Sequence, residues 1–587
     1  MTTKHIAIAG VIVVAVALIL WFSQPDPSQP VGPRGSGSTT ERQQDHFELA
    51  RNRLLRLDEF DPRQGMIQTA YHLNRWIGSE TDEVSWHEDP MIDALPAELR
   101  GIPPMQTLDK REFTTNEVRY LQQASWARSI SQWLVRQNRS IEFDDWLEDL
   151  EQSQGEPHAY DVGVAARLFD WIVRNIQLDE LPPDPEADAG AESEEEVSAS
   201  ISPLLTATRG PGYTRYPWQT MLFGRGDAWL RARAFILLCR QQQIDVVMLA
   251  FSQGQAAPKP WLPAALIDEQ MYLFDPALGL PIPGPDGIGI ATLAQVLADK
   301  SLLSNLSLGS DYPYEPGDAD LGQVVALIDA SYEALTYRMK AATQRASEGE
   351  PLFLSVDPTE LAERVKRISK ISDVQLWRVP LEAWIYRTAL ERRAQEDFEI
   401  GMQLMFEQWL CDEQHPLIQG RVQYFRGNFE KTDDNPGAKS YLIKAIVPAS
   451  VIAQIETSPE VQQELGIIRH RENDQQWQVA LQMYKTSILG VKQTATYWLG
   501  ITHYDTGRYD TAVPWLKKRT LETTDGNPWK PGARYNLSRT EEALGHLEAA
   551  RQLLLLDDSP QKHGNLLRAR YLRRRMASEN DSGIGAQ

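Results

Sequence analysis

The most constraining feature of the sequence is the stretch from Trp218 to Asp275, where a glycine-rich turn is followed by a helical pattern and then by a hairpin pattern. The apolar run at 246–251 and the segment 264–274, which turns at Asp-Glu-Gln, predict strands that pack on the preceding helix. A helix N-terminus can lower the pKa of a nucleophile placed there. The layout is therefore typical of an enzyme, and the residues at the helix start decide whether it is one.

Composition sets the broad class of the protein. The chain has 587 residues, of which 42% are hydrophobic and 17 are Trp, so it is long enough for two or more domains with sizeable cores. Its formal net charge of -22 argues against nucleic-acid binding, which requires clustered cations. No zinc, nucleotide or redox motif occurs in the sequence, so we expect no metal and no small-molecule cofactor.

The N-terminus carries an apolar run, Ile6–Phe22, that is close to the shortest length able to span a bilayer. A cleaved signal peptide is the alternative, but Leu20–Pro25 offers no small-residue cleavage site. We therefore predict a transmembrane anchor at 1–23 and a flexible linker at 24–40. Lys4 favours a cytoplasmic N-terminus, which places the bulk of the chain outside the cytoplasm at the cell membrane.

The rest of the chain divides into an α+β part and an all-α part. Capping-box spacing at Thr114–Glu117 predicts a helix start, Thr292 is expected to cap a helix through Leu303, and a further helix is predicted over about 162–176. We predict an α+β domain with a helical N-terminal part at 41–310, which contains a disordered acidic insert at 182–200. Connecting helices follow at 311–379, with long helices at about 318–345 and 358–371. The last predicted division is a helical repeat domain at 380–587.

Two cysteines, Cys239 and Cys411, lie far apart in the sequence. A disulfide is permitted outside the cytoplasm but cannot be deduced from the spacing. Because Cys239 falls on an apolar helix face, we expect a buried, inert thiol there.

Small residues recur at fixed offsets near the C-terminus. Leu499-Gly500, Gly507, Tyr509 and Ala512 are matched by Leu537-Ser538, Gly545, Leu547 and Ala550, and a more degenerate copy involves Gly420, Gly427, Phe429, Ala438 and Ala445. Small residues at such places let the two helices of a hairpin approach closely. These offsets resemble the tetratricopeptide repeat, and the resemblance implies a stack that binds a peptide or protein partner in its concave face.

A second resemblance involves the central stretch. The helix containing Trp171 and Asn175, the turn ending at Gly226, and the following helix with Ala232 and Arg240 are similar to the core of the transglutaminase-like superfamily of papain-type folds. The resemblance covers roughly 113–284. It implies an α+β domain with a cysteine at the helix start, a histidine on the next strand and an aspartate at the end of the strand after that.

The reactive residues of that family are missing from the matching positions. Ala228 stands at the nucleophile position, Pro260 or Trp261 stands near the histidine position, and only Asp275 matches. Alanine cannot attack a carbonyl and proline cannot act as a general base. Asp227 is ionisable, but a carboxylate is a poor nucleophile toward amides, and Asp275 has a ready structural role as a turn cap before Pro276.

We therefore predict a pseudoenzyme that acts as a protein-binding or scaffolding module in the cell envelope. The candidate binding cleft is formed by Trp218, Asp227, Trp229 and Trp261. The alternative hypothesis is an amidase or peptidase with a nonstandard site around Asp227 and Asp275. The final helix ends in a basic run of five arginines: Arg568, Arg570, Arg573, Arg574 and Arg575. We expect this run to be the solvated outer face of the helix. The alternative is that it contacts an acidic partner or anionic lipid.

Overall fold

Helices cover a six-stranded sheet in the computed structural model. The structure describes residues 45–584 except 81–83, 138–141, 183–209, 255, 315, 317–319, 348–350, 369, 398–399, 402–403, 405–414, 468, 470–473 and 525. The first half contains α1 His46–Leu54, α2 Pro62–Ser79, α3 Ala97–Arg100, α4 Thr115–Gln137, α5 Asp144–Gln154, α6 Glu156–Asn175, α7 Pro217–Phe223, α8 Ala228–Arg240, α9 Leu293–Ala298 and α10 Ser301–Ser304. The second half contains α11 Tyr337–Ala346, α12 Pro358–Val365, α13 Val379–Arg393, α14 Pro416–Phe425, α15 Gly437–Lys444, α16 Ala449–Gln454, α17 Pro459–Glu464, α18 Asp474–Asp505, α19 Tyr509–Leu516, α20 Lys530–Ala543, α21 Leu547–Leu555 and α22 Lys562–Ile584.

The strands form one large sheet and one short pair. They are β1 Gln177–Leu178, β2 Arg225–Gly226, β3 Asp245–Gln253, β4 Ala256–Ile267, β5 Gln270–Asp275, β6 Leu280–Pro281, β7 Val324–Ile328 and β8 Ile371–Leu376. The large sheet has the order β6-β5-β4-β3-β7-β8, and β1 pairs with β2 in parallel. All pairs in the large sheet are antiparallel except β7 with β8. The hairpin predicted from the central stretch is confirmed.

Three prolines lie in β4, although proline is normally excluded from the middle of a sheet because it lacks an N–H donor. Pro260 and Pro263 pair with β3, whereas β5 pairs only with 264–267. The proline-containing part of β4 is therefore not paired with β5, so the missing proline N–H groups leave no β5 acceptor without a donor. Register shifts in β3, between Met248 and Ala250 and again between Phe251 and Gln253, accommodate the irregular strand.

The sheet is apolar on both faces, since it packs between two layers. On the face covered by α8, Met248, Ala250 and Phe274 join a core with Phe235 and Cys239. The opposite face carries its own core: Val247, Leu249, Leu266, Leu273, Leu293 and Leu376. The expectation that Cys239 is a buried thiol is confirmed, and burial raises its pKa well above the ordinary value.

The segment 311–379 is not purely helical, which corrects the sequence-based expectation of long helices at 318–345 and 358–371. Val324–Ile328 forms β7 and Ile371–Leu376 forms β8, so the sheet extends beyond residue 310 to Leu376. The run Val-Val-Ala-Leu-Ile is apolar at every position, and such a short run is compatible with either a helix or a strand. Its place beside β3, buried on both faces, selects the strand.

The C-terminal part consists of helical hairpins whose crossing points need small residues. A Cβ at Gly420 would lie 2.8 Å from the Leu442 side chain, and one at Gly500 would lie 2.6 Å from that of Leu516. These two glycines allow α14 to pack on α15 and α18 to pack on α19. In the degenerate early copy and in the first of the two later copies, a glycine in the first helix thus makes room for a leucine of the second helix.

His46–Gln587 forms one compact unit, because the apolar core on the α8 face continues into the hairpins. Trp171 of α6, for example, donates its indole N–H to the Tyr424 hydroxyl of α14 at 3.0 Å. The predicted anchor, linker and Cys411 lie outside the described residues, as does nearly all of the predicted acidic insert. In the described part of the chain, no helix has the length and apolarity needed to cross a bilayer.

Candidate functional site

Asp227 and Ala228 mark the start of α8, where the resemblance places the nucleophile. Asp227 is the N-cap, and its carboxylate accepts the N–H groups of Trp229 at 3.0 Å and Leu230 at 2.9 Å. Its second oxygen accepts the Gly212 N–H at 2.9 Å. Burial raises the pKa of Asp227, although these three hydrogen bonds oppose the shift. The carboxylate is therefore already engaged by backbone donors, as an N-cap is, and Ala228 offers only a buried methyl group.

Asp275, the one family-matching residue, ends β5 in a turn. Its carboxylate accepts the N–H groups of Ala277 at 2.8 Å and Leu278 at 3.0 Å, and the Tyr314 hydroxyl donates to it at 2.7 Å. Burial raises the pKa of Asp275 above its ordinary value, against the effect of these donors. Both oxygens thus serve the turn and Tyr314.

Pro260 and Asp275 lie on different faces of the sheet. Pro260 pairs with Ala250, whose side chain belongs to the core under α8. Tyr314, which holds the Asp275 carboxylate, packs against the core on the opposite face, as does Trp261. The Trp261 indole N–H also donates to the Tyr314 hydroxyl at 3.3 Å. Asp275 is therefore tied to Trp261 through Tyr314.

The tryptophans of the predicted cleft pack against two different cores: Trp218 and Trp229 against the core under α8, and Trp261 against the core on the opposite face. The Trp218 ring is covered by the Arg119 guanidinium, whose Cζ is 4.9 Å from the ring centroid. Trp229 packs against Trp377 with centroids 5.9 Å apart, and both belong to the core under α8. Trp261 lies beside Phe251 on the opposite face, with centroids 5.1 Å apart and the rings tilted by 33°. These contacts do not align the three rings as the wall of one groove.

The structure brings another set of polar residues together, between α6 and the first helices of the C-terminal hairpins. Arg174 donates to Asp505 at 2.7 Å and to Asp170 at 2.7 Å, and its Cζ lies 4.6 Å from the Tyr504 centroid. Burial would raise the pKa of Asp170, but the guanidiniums of Arg174 and Arg539 hold it well below the ordinary value. The ion pair between Arg174 and Asp505 is buried from solvent on both sides.

The end of α6 and β1 continues this contact toward α20. Asn536 donates to the Arg174 carbonyl at 2.9 Å, while Gln177 accepts the Gly532 N–H at 2.9 Å and donates to the Pro528 carbonyl at 3.0 Å. We call the set Tyr497, Tyr504, Asp505, Gly532, Asn536 and Arg539 the inner face. Sequence reasoning missed it, although the Asp170–Arg174 spacing beside the apolar residues Trp171, Ile172 and Val173 was a signal of buried charge.

The last helix, α22, also packs on the central layer. Gln561 accepts a hydrogen bond from the buried Arg231 of α8 at 2.8 Å, and a Cβ at Gly564 would lie 1.7 Å from the Leu278 carbonyl oxygen. Arg568 is buried and pairs with Glu142 at 2.9 Å and with Glu542 at 2.7 Å. The expectation that the basic run is a solvated outer face is therefore wrong for Arg568, because carboxylates from two other segments meet it there.

The structure gives no support to a metal centre, since no group of three or more potential ligands is clustered among the described residues. The polar groups brought together are salt bridges and hydrogen bonds that hold segments of the chain to one another.

Comparison with known families agrees with the geometry of the hairpins. Two segments, 493–518 and 531–555, match the tetratricopeptide repeat. They correspond to α18 with α19 and to α20 with α21, so the two later copies predicted from the spacing are confirmed. No curated protein and no solved structure matches the chain. The repeats point to a protein-interaction module with protein partners.

Proposed function

We propose that this protein is a membrane-anchored, extracytoplasmic scaffold that binds a protein partner through its repeat region. In this proposal Ile6–Phe22 is the anchor, and the central domain is a transglutaminase-like pseudoenzyme that supports the repeats. The two tetratricopeptide repeats are the observation that carries the binding role.

The contacts around α8 support a non-catalytic central domain. A general base or nucleophile needs a lone pair directed at the substrate. The carboxylates of Asp227 and Asp275 each accept hydrogen bonds from three donors of this chain. Ala228 at the helix start has no reactive atom.

The test uses the full chain purified in detergent micelles. We expect no labelling at this region by acyl-type or thiol-directed probes, and no hydrolysis or cross-linking of peptides. Peptide hydrolysis that disappears in Asp227→Asn would identify an enzyme and overturn the proposal. Asp286→Asn, an exposed carboxylate on a loop, is the matched control.

The binding role and the topology have separate tests. Cross-linking in intact cells that express the full chain should capture a protein partner, and removal of 380–587 should abolish capture. Because that truncation also removes contacts to α6, a second variant with substitutions confined to exposed residues of α19 and α21 must weaken capture while keeping the native circular dichroism. A membrane-impermeant amine reagent should modify the bulk of the chain from outside the cytoplasm; protection of all its lysines would contradict the proposed orientation.

A further inference from the structure

The first repeat carries an unusual concentration of positive charge next to its second helix. After α19, residues Lys517–Leu521 form a turn of π-helix, and Lys517, Lys518 and Arg519 follow one another in it, all exposed. Turns of π-helix are rare and occur often at functional sites. We call Arg508, Lys517, Lys518 and Arg519 the outer basic patch.

Trp515 organises this patch. The Arg519 guanidinium lies over its ring, with Cζ 4.1 Å from the centroid, and His503 lies near the ring with an interplanar angle of 21° and centroids 6.3 Å apart. The buried Thr520 hydroxyl donates to the Trp515 carbonyl at 2.9 Å and fastens the π-helical turn to α19. Arg519 is therefore held in place by a cation–π contact, so its charge is partly pre-organised for a ligand.

The charges of this patch are poorly neutralised. Across the described part of the chain, Lys517, Lys518 and Arg519 form no ion pair; Arg508 pairs with Glu430 at 3.1 Å. The pKa of His503, beside the Trp515 ring, is lowered to about 4, first by burial and then by Lys439 and Arg508, while Glu430 opposes the shift. In a chain with a net charge of -22, three adjacent cations without an ion-pair partner among the described residues, Lys517, Lys518 and Arg519, are a distinct feature.

The position of the patch matters as much as its charge. The first helices of the repeats use the inner face to hold α6 and β1, so a concave groove there is already filled by the chain itself. The outer basic patch flanks the second helix of the repeat: Arg508 is the N-cap of α19, and Lys517, Lys518 and Arg519 lie in the turn after it. All four residues are exposed.

We propose that the outer basic patch binds an acidic peptide segment of a protein partner. This inference builds on the proposed binding role and assigns it to one surface and one chemistry. A few clustered cations attract anionic lipid only weakly, and stable docking on a membrane normally adds an apolar or lipid anchor beside them. No large hydrophobic residue is exposed between 503 and 522 in the described part of that segment, which favours a peptide over a membrane.

The experiment measures binding of a fluorescein-labelled oligoglutamate peptide to the full chain in detergent micelles by fluorescence anisotropy. The test variant is Lys517→Gln/Lys518→Gln/Arg519→Gln. The matched control is Lys366→Gln/Arg367→Gln/Lys370→Gln, which removes the same charge from exposed cations elsewhere. Circular dichroism and thermal melting verify that both variants fold.

We expect the wild type to bind and the affinity to fall with added salt. The test variant should bind roughly tenfold more weakly, because several charge contacts are lost together, while the control should stay within about twofold of wild type. Equal losses in both variants would indicate general charge attraction and overturn the proposal.

Two further arms separate the remaining outcomes. Binding of wild type in nanodiscs to phosphatidylserine–phosphatidylcholine vesicles, without oligoglutamate binding, would identify a lipid surface and contradict the peptide proposal. If cross-linking captures a partner equally well with wild type and test variant, the scaffold role stands and this surface assignment fails. If no partner is captured although the patch binds oligoglutamate, the scaffold role fails while the assigned peptide chemistry survives.

Discussion

The inner face and the outer basic patch belong to the same tetratricopeptide repeats but use charge in opposite ways. On the inner face, Asp505 and Arg174 are both buried and pair with each other inside the chain. In the outer patch, Lys517 and Lys518 are exposed, and neither has a carboxylate partner among the described residues. Buried charge must be paired within the fold, whereas exposed charge is free to meet a ligand. One side of the repeats therefore packs against the rest of the chain, and the other side is exposed to solvent, where a ligand can reach it.

Removal of Asp505 should break the inner face most severely. Asp505→Ala leaves the Arg174 guanidinium buried with one carboxylate fewer and removes the acceptor of the Tyr424 hydroxyl. Breaking a buried pair in this way costs about 3–5 kcal/mol. Urea unfolding of the full chain in micelles, followed by tryptophan fluorescence, measures the loss.

The control for this prediction is Asp558→Ala. Asp558 pairs with Arg534 at 3.0 Å but is largely exposed, so its loss should cost about 0–1 kcal/mol. Equal effects of the two substitutions would show that the inner face is not a buried contact.

Gly564→Ala should be the next most damaging change. Its Cβ would lie 1.7 Å from the Leu278 carbonyl oxygen, so α22 or the turn after β5 must move. Overpacking of this kind costs about 1–3 kcal/mol or more. The comparison is Gly490→Ala in α18, where a Cβ would meet no atom within 4 Å and should stabilise the helix by about 0.5–1 kcal/mol. If Gly564→Ala and Gly490→Ala shift the melting temperature in the same direction, the close contact between α22 and Leu278 is refuted.

The pH dependence of stability tests the burial of Asp275. Burial raises its pKa above the ordinary 3.8, so the folded state binds the proton more tightly than the unfolded chain. The stabilisation by the neutral carboxyl is full below about pH 4 and is lost as the pH rises through the folded-state pKa. Asp275→Asn does not titrate and keeps the shape of the side chain. We expect the stability of wild type relative to this variant to fall above about pH 4.

Urea unfolding at a series of pH values, with the exposed Asp286→Asn as control, measures this difference. A wild type that gains stability relative to Asp275→Asn as the pH rises would show that the carboxylate is favoured in the fold, which is the opposite sign.

The smallest expected effect concerns the outer face. Thr520→Val removes the hydroxyl bond to the Trp515 carbonyl and should cost about 0.5–1.5 kcal/mol. It should also weaken oligoglutamate binding, since the π-helical turn carries the cations. Thr540→Val removes the same kind of bond, to the Asn536 carbonyl, from the second repeat. We expect Thr540→Val to lose a similar amount of stability and to bind oligoglutamate as wild type does. If both variants bind more weakly, Thr520 has no specific role in holding the patch.

Local patterns predicted the elements around the candidate site well. The Thr114–Glu117 spacing marks the start of α4, where the Glu117 carboxylate accepts the Thr114 N–H at 2.8 Å. Thr292 caps α9 with Gln295 in a complete capping box. Such signals depend on residues within one turn of each other, so the sequence contains them in full.

Contacts between distant segments could not be predicted in the same way. The strand β7 lies where a long helix is predicted, because a short apolar run lacks a decisive period. The pairing of Asp170 with Arg539 joins residues that are far apart in the sequence. Nothing local to either residue specifies the partner, and only the packing of α6 against α20 does so.

The sequence by itself determined the repeats, the helix-and-hairpin order of the central stretch, and the absence of cysteine and histidine from the positions where the family resemblance expects them. These properties follow from periodicity, spacing and residue chemistry. The tertiary structure alone decided that the inner face of the repeats is filled by α6 and β1. The physical reason is that burial selects which polar groups must find partners, and that selection exists only when distant segments fold against one another.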